Sequence, residues 1–299
     1  MSEGRGMNTT KAKITKCVLS VLAAGSALLA APERASAQEI LLTGPLAGAS
    51  SVRHLRLYRE SRFEIAPAVT FTLLDEYQRT ILLGARLTYN FTDWLGIGAW
   101  GGYGGLIQLP THLTDEIQKV NAIRKREAST TTNNRLTAVN LGQNFEDQLA
   151  GMEWVLAPQI TLVPFRGKIA LFQSIFVDTD MYFFGGPAIV GLKERGDCAA
   201  DSCDYATHPE SFDLASRVAI APTFGLGLTF YMSKWSALGF EWRGLPFSWN
   251  TGGFDTAGGG KDEAFPDNAI SSADRRFHFN QMLTVSFNVY LPTQYRVSE

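Results

Sequence analysis

The sequence is poor in cysteine and histidine, and after its N-terminal region it lacks any long apolar run. Only three cysteines and four histidines occur in 299 residues, so the chain has few ligands for a metal site and few bases for nucleophilic catalysis. Beyond residue 37, no stretch approaches the ~20 consecutive apolar residues that a membrane-spanning helix needs. A helical membrane protein is therefore excluded.

A strong charge of one sign is also missing. Five of the 27 basic residues and two of the 29 acidic residues lie in residues 1–37, which leaves 22 basic and 27 acidic residues in the rest of the chain. This small acidic excess argues against a surface that binds nucleic acid. No nucleic-acid partner is predicted.

The first 37 residues have the features of a secretory signal peptide. Three lysines precede a short apolar run at residues 17–31, and Ala-Ser-Ala at residues 35–37 provides a cleavage site. We predict a signal peptide at residues 1–37 that is cleaved after Ala37. An uncleaved anchor helix is the alternative, but the apolar run is too short to span a membrane comfortably.

Two cysteines, Cys198 and Cys203, remain beyond the predicted signal peptide, in the polar stretch GDCAADSCD. In an exported chain they are predicted to form a local disulfide that fastens the tip of a loop. A metal site is the alternative reading, but only His208 lies near them in sequence as a further ligand. No cofactor is predicted.

From residue 62 onward, apolar side chains recur at every second position. In RFEIAPAVTFTLL, for example, Phe63, Ile65 and Val69 alternate with smaller or polar residues. Such alternation is typical of β-strands, and the runs are long for a soluble sheet. Eight strands are predicted, at about 62–74, 80–91, 94–108, 152–164, 175–191, 217–231, 235–249 and 276–291. The fifth is the least regular, because its alternation slips between Ile175 and Met181.

Short and long connections alternate between these strands. Long polar segments are predicted at 109–151, 192–216 and 250–275, the first with a short helix in THLTDEIQKVNAIRKRE, whereas the stretches NFTD, PFRGK and MSK are short. The first connection, DEYQR, is an exception. Transmembrane β-barrels have short periplasmic turns and long outer loops. The fold class predicted is therefore all-β, a closed antiparallel up-and-down transmembrane barrel of eight strands at residues 62–292.

Aromatic residues flank the predicted short turns. The stretches YNFTDWLGIG and FYMSKWSALG carry the same order of aromatic, hydroxyl, charged, Trp and Gly residues. Aromatic rings favour the membrane interface, so we predict a girdle of Tyr89, Phe91, Trp94, Phe165, Phe230, Tyr231 and Trp235. A soluble β-sandwich is the alternative fold, but it does not explain aromatic residues clustered at turns.

Polar residues on the other face of the strands are predicted to fill the lumen. An eight-stranded barrel is just wide enough for side chains to fill it. The predicted lumen residues in the chain are Glu64, Arg86, Glu153, Asp180, Glu241 and Arg243. They are interpreted as a structural polar core of paired charges, with a selectivity or conduction site as the alternative.

The chain resembles small bacterial outer-membrane barrels, and more specifically the outer-membrane β-barrel domain family of myxobacteria and related delta-proteobacteria. The stretches that carry the resemblance are EILLTGPLAGASSVRHLRLYRESRFEIAP, YNFTDWLGIG and PFRGKIALFQSIFVDTDMYFFGGPAIVG. The resemblance implies an outer-membrane location, and it implies partners in envelope or motility complexes, because some relatives are associated with them. It implies no catalytic residues. In many such barrels the last strand ends at a terminal Phe or Trp, whereas here the chain continues through LPTQYRVSE.

We therefore expect a non-enzymatic envelope component that holds partners, with both termini in the periplasm. Residues 38–61 would form a periplasmic segment and 293–299 a short tail. Membrane lipid and, during biogenesis, the barrel-assembly machinery are the expected partners. A narrow pore for small ions or solutes is the alternative. A lipid-modifying enzyme is a third reading, for which Ser248 and His278 form a rim pair that no motif frames.

Overall fold

The computed structural model of the chain describes residues 56–127, 141–171, 175–205, 207–256 and 269–297. Several predictions fall outside these ranges. They are the signal peptide with its cleavage site after Ala37, most of the 38–61 segment, parts of the three long loops, and the last two residues.

Eight antiparallel strands form a closed barrel, as predicted. Each strand pairs with its neighbour in sequence, and the first barrel strand pairs with the last, from Phe63 opposite Leu291 to Leu73 opposite Gln281. The barrel strands are β2 (Arg62–Leu73), β3 (Gln78–Asn90), β4 (Leu95–Pro110), β5 (Gly151–Leu171), β6 (Ile175–Arg195), β7 (Leu214–Tyr231), β8 (Ser236–Trp249) and β9 (Arg276–Leu291). The connections 91–94 and 232–235 lie at one end, here called the short-turn end, and the opposite end is the long-loop end.

The outer wall of the barrel is apolar. Along β2, buried and exposed residues alternate without interruption from Arg62 to Thr72, and the exposed positions include Phe63, Ile65, Val69 and Phe71. The other barrel strands also present large apolar side chains outward. Exposed apolar area on this scale marks a surface that water does not cover, and a closed ladder leaves few backbone groups unpaired. These are the features of a transmembrane β-barrel.

The interior is divided into an apolar and a polar half. Toward the long-loop end lies a cluster of buried apolar residues that includes Leu82, Met152, Val190, Leu245 and Phe247. Toward the short-turn end the buried inward residues are mostly charged or hydrogen-bonding. Side chains therefore fill the lumen along its length, as expected for eight strands.

Glycine allows β3 and β4 to approach one another closely. A Cβ atom at Gly84 would lie 2.6 Å from the Cα of Gly102 and would also clash with the carbonyl of Gly101. No larger residue fits there without moving β4. The glycines of β4 therefore serve the tight packing of the wall, in line with the curvature that their crowding indicates.

The hairpin of β5 and β6 is longer than predicted, and the predicted short turn PFRGK is wrong. Residues 166–171 pair with residues 175–180, whereas the pairing of β4 with β5 begins only at Leu162 and that of β6 with β7 ends at Thr179. A register shift between Leu162 and Phe165 interrupts the alternation, which is why the sequence pattern ended the strand too early. This arm projects beyond the other turns at the short-turn end.

The two ends of the described chain meet at the short-turn end. Strand β1 (Arg56–Leu57) pairs antiparallel with β10 (Arg296–Val297). The guanidinium of Arg62 donates to the carbonyls of Tyr58, Lys234, Tyr290 and Pro292 at 2.7–3.1 Å. One buried arginine therefore ties the N-terminal segment to the last strand and to the β7–β8 turn.

The long connections pack together into a cap at the long-loop end. Phe145 and Leu149 form an apolar cluster with Tyr77 and Phe254, and the amide of Gln148 donates to the carbonyl of Gly252 at 2.9 Å. Cys198 and Cys203 form the predicted disulfide. Nearby in the β2–β3 connection, burial raises the pKa of Asp75 to about 6, so its carboxyl is half-protonated near that pH.

Helix α1 (His112–Glu127) lies on this cap. Its Thr114 hydroxyl donates to the carbonyl of Tyr77 at 2.6 Å, and the buried Asn121 amide donates to the carbonyl of Gly142 at 3.2 Å. The adjacent face exposes Leu113 and Val120. In the described part of the chain no helix is long and apolar enough to cross a membrane.

Candidate functional site

A row of charged side chains runs through the polar half of the lumen. Each is no more than 5% exposed, and the signs alternate along the row. In order from the short-turn end, the members of this lumen network are Asp180, Arg59, Glu64, Arg86, Glu241 and Arg243. Three positive charges balance three negative ones, so the network is neutral as a whole.

Arg86 is the centre of the network. It projects inward from β3, and its guanidinium contacts Glu64 on β2 at 2.6 Å and Glu241 on β8 at 2.5 Å. It also donates to the hydroxyl of Tyr182 at 2.6 Å. This one side chain of β3 thus connects to β2, β6 and β8. Charges buried in this way are costly unless each has its partners.

Arg59 closes the network from the short-turn end. It belongs to the N-terminal segment rather than to a strand, yet it is buried in the lumen. Its guanidinium contacts Glu64 at 3.1 Å and Asp180 at 3.2 Å, and it donates to the hydroxyls of Thr229 and Tyr231. The segment before β2 therefore enters the barrel and seals it.

Arg243 ends the network at the border of the apolar half. Its guanidinium donates to Glu241 at 2.7 Å and to the amide oxygen of Gln159 at 2.8 Å. It also lies over the rings of Trp100, at 4.4 Å, and Phe184, at 4.3 Å. Cation–π contacts of this kind stabilise a cation that has lost its water.

Five of the six predicted lumen residues lie in this network, and Glu153 does not. Glu153 lies near the long-loop end, where it is partly exposed and pairs with Lys193 at 3.3 Å. A register shift between Met152 and Trp154 breaks the alternation on which the prediction relied. Arg59, which sequence analysis missed, takes part instead.

Six of the seven residues predicted for the aromatic girdle have side chains that are at least partly exposed. Phe91, Trp94, Phe165 and Trp235 are exposed, and Tyr89 and Phe230 are partly exposed. Tyr231 is not part of the girdle, because its side chain points inward. Its hydroxyl donates to Asp180 at 2.6 Å, and its ring stacks on Tyr58. The prediction followed the position of Tyr231 beside the turn, whereas period-2 alternation from the outward Phe230 places residue 231 inward.

The three described histidines, His112, His208 and His278, lie in separate segments: α1, the loop after β6, and β9. His112 is exposed beside Glu116, and His208 is exposed beside Glu210. Hydrogen bonds from the backbone of Glu210 and from His208 lower the pKa of the Glu210 carboxyl. His278 is opposite Phe247, whereas Ser248 is opposite Phe277 on the other face. The described residues hold no group of three potential metal ligands.

Comparison with known proteins finds similarity only to solved structures. No family model and no curated protein matches it. The N-terminal barrel of Pseudomonas aeruginosa OprF is similar at 7% identity and a TM-score of 0.38, covering 78% of this chain and 98% of that one. OprG of the same organism is similar at 10% identity and a TM-score of 0.37, with 78% and 97% covered. The neisserial surface protein NspA is similar at 6% identity and a TM-score of 0.33, with 76% of this chain and 94% of that one covered. The fold assignment rests on the strand pairing of the chain itself.

Proposed function

We propose that this chain is a bacterial outer-membrane β-barrel that acts as a structural or interaction component of the envelope and does not conduct. The observation that carries the proposal is the neutral lumen network, in which six alternating charges bind one another across the barrel. A pore requires a path between such groups, and here each charge is buried against its partner. The network therefore favours a sealed scaffold rather than a narrow pore.

The proposed orientation puts the short turns and both termini in the periplasm and the long loops outside, because outer-membrane barrels are built in this way. Lipid would then contact the apolar wall and the aromatic girdle. The barrel-assembly machinery would act on the chain during biogenesis. The resemblance to the myxobacterial barrel family, and a place in an envelope or motility complex, belong to this proposal. No enzymatic activity is proposed.

The loop cap supplies the surface that a partner would contact. Hydrogen bonds from Thr114 and Asn121 fasten α1 to the cap, and this helix turns Leu113 and Val120 toward solvent. Ordered surfaces with exposed apolar residues favour specific association, because little conformational entropy is lost on binding. The cap is therefore the proposed interaction surface.

A photo-crosslinking amino acid at Val120 tests this role in intact cells that produce the protein. A discrete adduct, larger than the barrel alone and found in the outer-membrane fraction, is expected. The same amino acid at the buried neighbour Asn121 is the matched control and should give none. Absence of an adduct from both Val120 and Leu113 would contradict the interaction role.

A further inference from the structure

The wall of the barrel has one junction at which two long strands separate. β7 and β8 pair only from Phe224 opposite Gly244 to Tyr231 opposite Ala237, although β7 begins at Leu214 and β8 continues to Trp249. On their far sides both strands remain paired, with β6 up to Leu214 and with β9 up to Trp249. We call the unpaired stretch, residues 214–223 and 245–249, the seam.

Prolines explain where the ladder stops. If the register of β7 and β8 is continued, Pro222 faces Pro246, and neither has an N–H to donate. Pro222 is also the partner of Pro187 on β6. The register of β5 with β6 in turn brings Pro158 opposite Pro187, and no pairs form from 157 to 159. A row of prolines therefore crosses four neighbouring strands at one level.

Two side chains hold the seam in place of the backbone ladder. The Thr223 hydroxyl donates to the carbonyl of Gly244 at 3.2 Å, just where pairing ends. Further toward the loops, Arg217 donates to the carbonyl of Ser248 at 2.9 Å, and Glu194 on β6 holds the same guanidinium. Single side-chain bonds separate more easily than a continuous ladder, because each opens independently of its neighbours.

The lower part of the seam, from Pro222 to Ile220, lies within the lipid-facing part of the wall. Each residue of a tilted strand rises about 2.5 Å along the membrane normal, so Pro222, Ile220 and Val218 lie about 20, 25 and 30 Å above the girdle at Phe230. An apolar band is about 25 Å tall. Ile220, at the upper edge of such a band, is 79% exposed, and Val218, just above it, is 59% exposed. The lower part of the seam therefore opens toward the lipid leaflet on the long-loop side.

The inner side of the seam is also apolar. Ala219, Ala221, Leu245 and Phe247 are all buried there in the apolar half of the lumen. The lumen network begins below this apolar stretch, at Arg243, and the ion pair of Arg217 with Glu194 lies above it. A molecule that entered the seam would meet apolar groups on both sides, so a charged or strongly hydrated solute is excluded. A partner β-strand is also disfavoured, because the facing prolines offer it no donors.

We propose that the seam binds one acyl chain of a membrane lipid from the leaflet on the long-loop side. The chain enters between β7 and β8 above the two facing prolines, with Ile220 on its outer side and Phe247 on its inner side. This inference rests on the membrane placement in the proposed function and goes beyond it, because it assigns a ligand to the barrel wall.

A photo-crosslinking phenylalanine, p-benzoylphenylalanine, tests the site when it replaces Phe247. The chain without the predicted signal peptide is refolded into phosphatidylcholine vesicles and irradiated, and its intact mass is then measured by mass spectrometry. We expect a lipid adduct at position 247 and none at Phe184, a buried inward phenylalanine beside Arg243 that serves as the matched control. No adduct at 247, or equal adducts at both positions, would overturn the proposal.

Two further variants make the outcome unambiguous. The same amino acid at Ile220 faces lipid in any inserted barrel, so its failure to react would contradict the membrane placement rather than the seam. Pro222→Val combined with Pro246→Val restores two backbone donors and should close the ladder. We expect this pair to abolish the adduct at 247 while the adduct at 220 remains; an undiminished adduct at 247 would refute the seam as the route.

Discussion

Replacing Arg86 with methionine is expected to lower the free energy of unfolding by about 3–5 kcal/mol, the usual cost of removing one partner from a buried ion network. Arg86 contacts Glu64 at 2.6 Å and Glu241 at 2.5 Å, and all three side chains are buried. Its loss leaves the lumen network with two positive and three negative charges. Urea unfolding of the barrel in lipid vesicles measures the change.

The charge balance of the variant provides the decisive control. Arg86→Met with Glu64→Gln leaves two charges of each sign and should be less destabilised than Arg86→Met alone. Arg79→Met removes an exposed arginine from the same strand and should change stability by less than about 0.5 kcal/mol. A loss for Arg86→Met no larger than that for Arg79→Met would show that the network does not hold the barrel together.

Replacing Arg59 with alanine is expected to cost about 3–5 kcal/mol as well, because it leaves Asp180 and Glu64 short of a partner in a buried site. Arg59 differs from Arg86 in that it enters the lumen from outside the barrel wall. Its removal should therefore also release the N-terminal segment. Hydrogen exchange should become faster at Asp180 and Thr229, which Arg59 contacts at 3.2 and 2.8 Å, as the short-turn end opens.

Arg56→Ala is the matched control for this variant. Arg56 lies three residues earlier and its side chain is largely exposed, although it pairs with Asp178 at 3.6 Å. Exposed pairs of this kind contribute only about 0–1 kcal/mol. If both variants behaved alike, with small losses and unchanged exchange in the lumen, then Arg59 would not be the seal that its contacts indicate.

The barrel itself could be predicted from the sequence because its signal is local. Alternation along each strand records which side chains face lipid, as at Phe63, Ile65 and Val69, and the length of the connections records which end they occupy. Glu64, Arg86 and Glu241 were placed inward by the same parity. Alternation fails where a register shift adds a residue. Such shifts explain why Glu153 was wrongly predicted to face the lumen and why the predicted end of β5 came too early.

Arg59 could not be placed by alternation, because it lies in an irregular segment and reaches its partners across the barrel. The sequence held one indirect signal. Without Glu153, the predicted lumen residues carry three acidic and two basic groups, and a buried surplus charge is unfavourable unless a further cation joins it. That imbalance indicates a missing arginine or lysine, although it does not identify Arg59.

The seam and the loop cap depend on contacts between distant parts of the chain. Pro222 and Pro246 are visible in the sequence, but only the register of β7 and β8 shows that they face one another. Phe145 and Phe254 likewise meet from different loops. Loop contacts of this kind have no period in the sequence, so pattern analysis predicted long polar loops and gave no indication of their packing.

Single-channel conductance tests the central claim, a barrel sealed by its lumen network, most directly. The chain without the predicted signal peptide, residues 38–299, is refolded, checked for heat-modifiable mobility on gels, and inserted into a planar bilayer. A sealed lumen predicts an inserted protein that gives no current steps. Reproducible steps in the unaltered protein, changed in size by Arg86→Ala or Arg243→Ala, would contradict the sealed barrel and establish a pore.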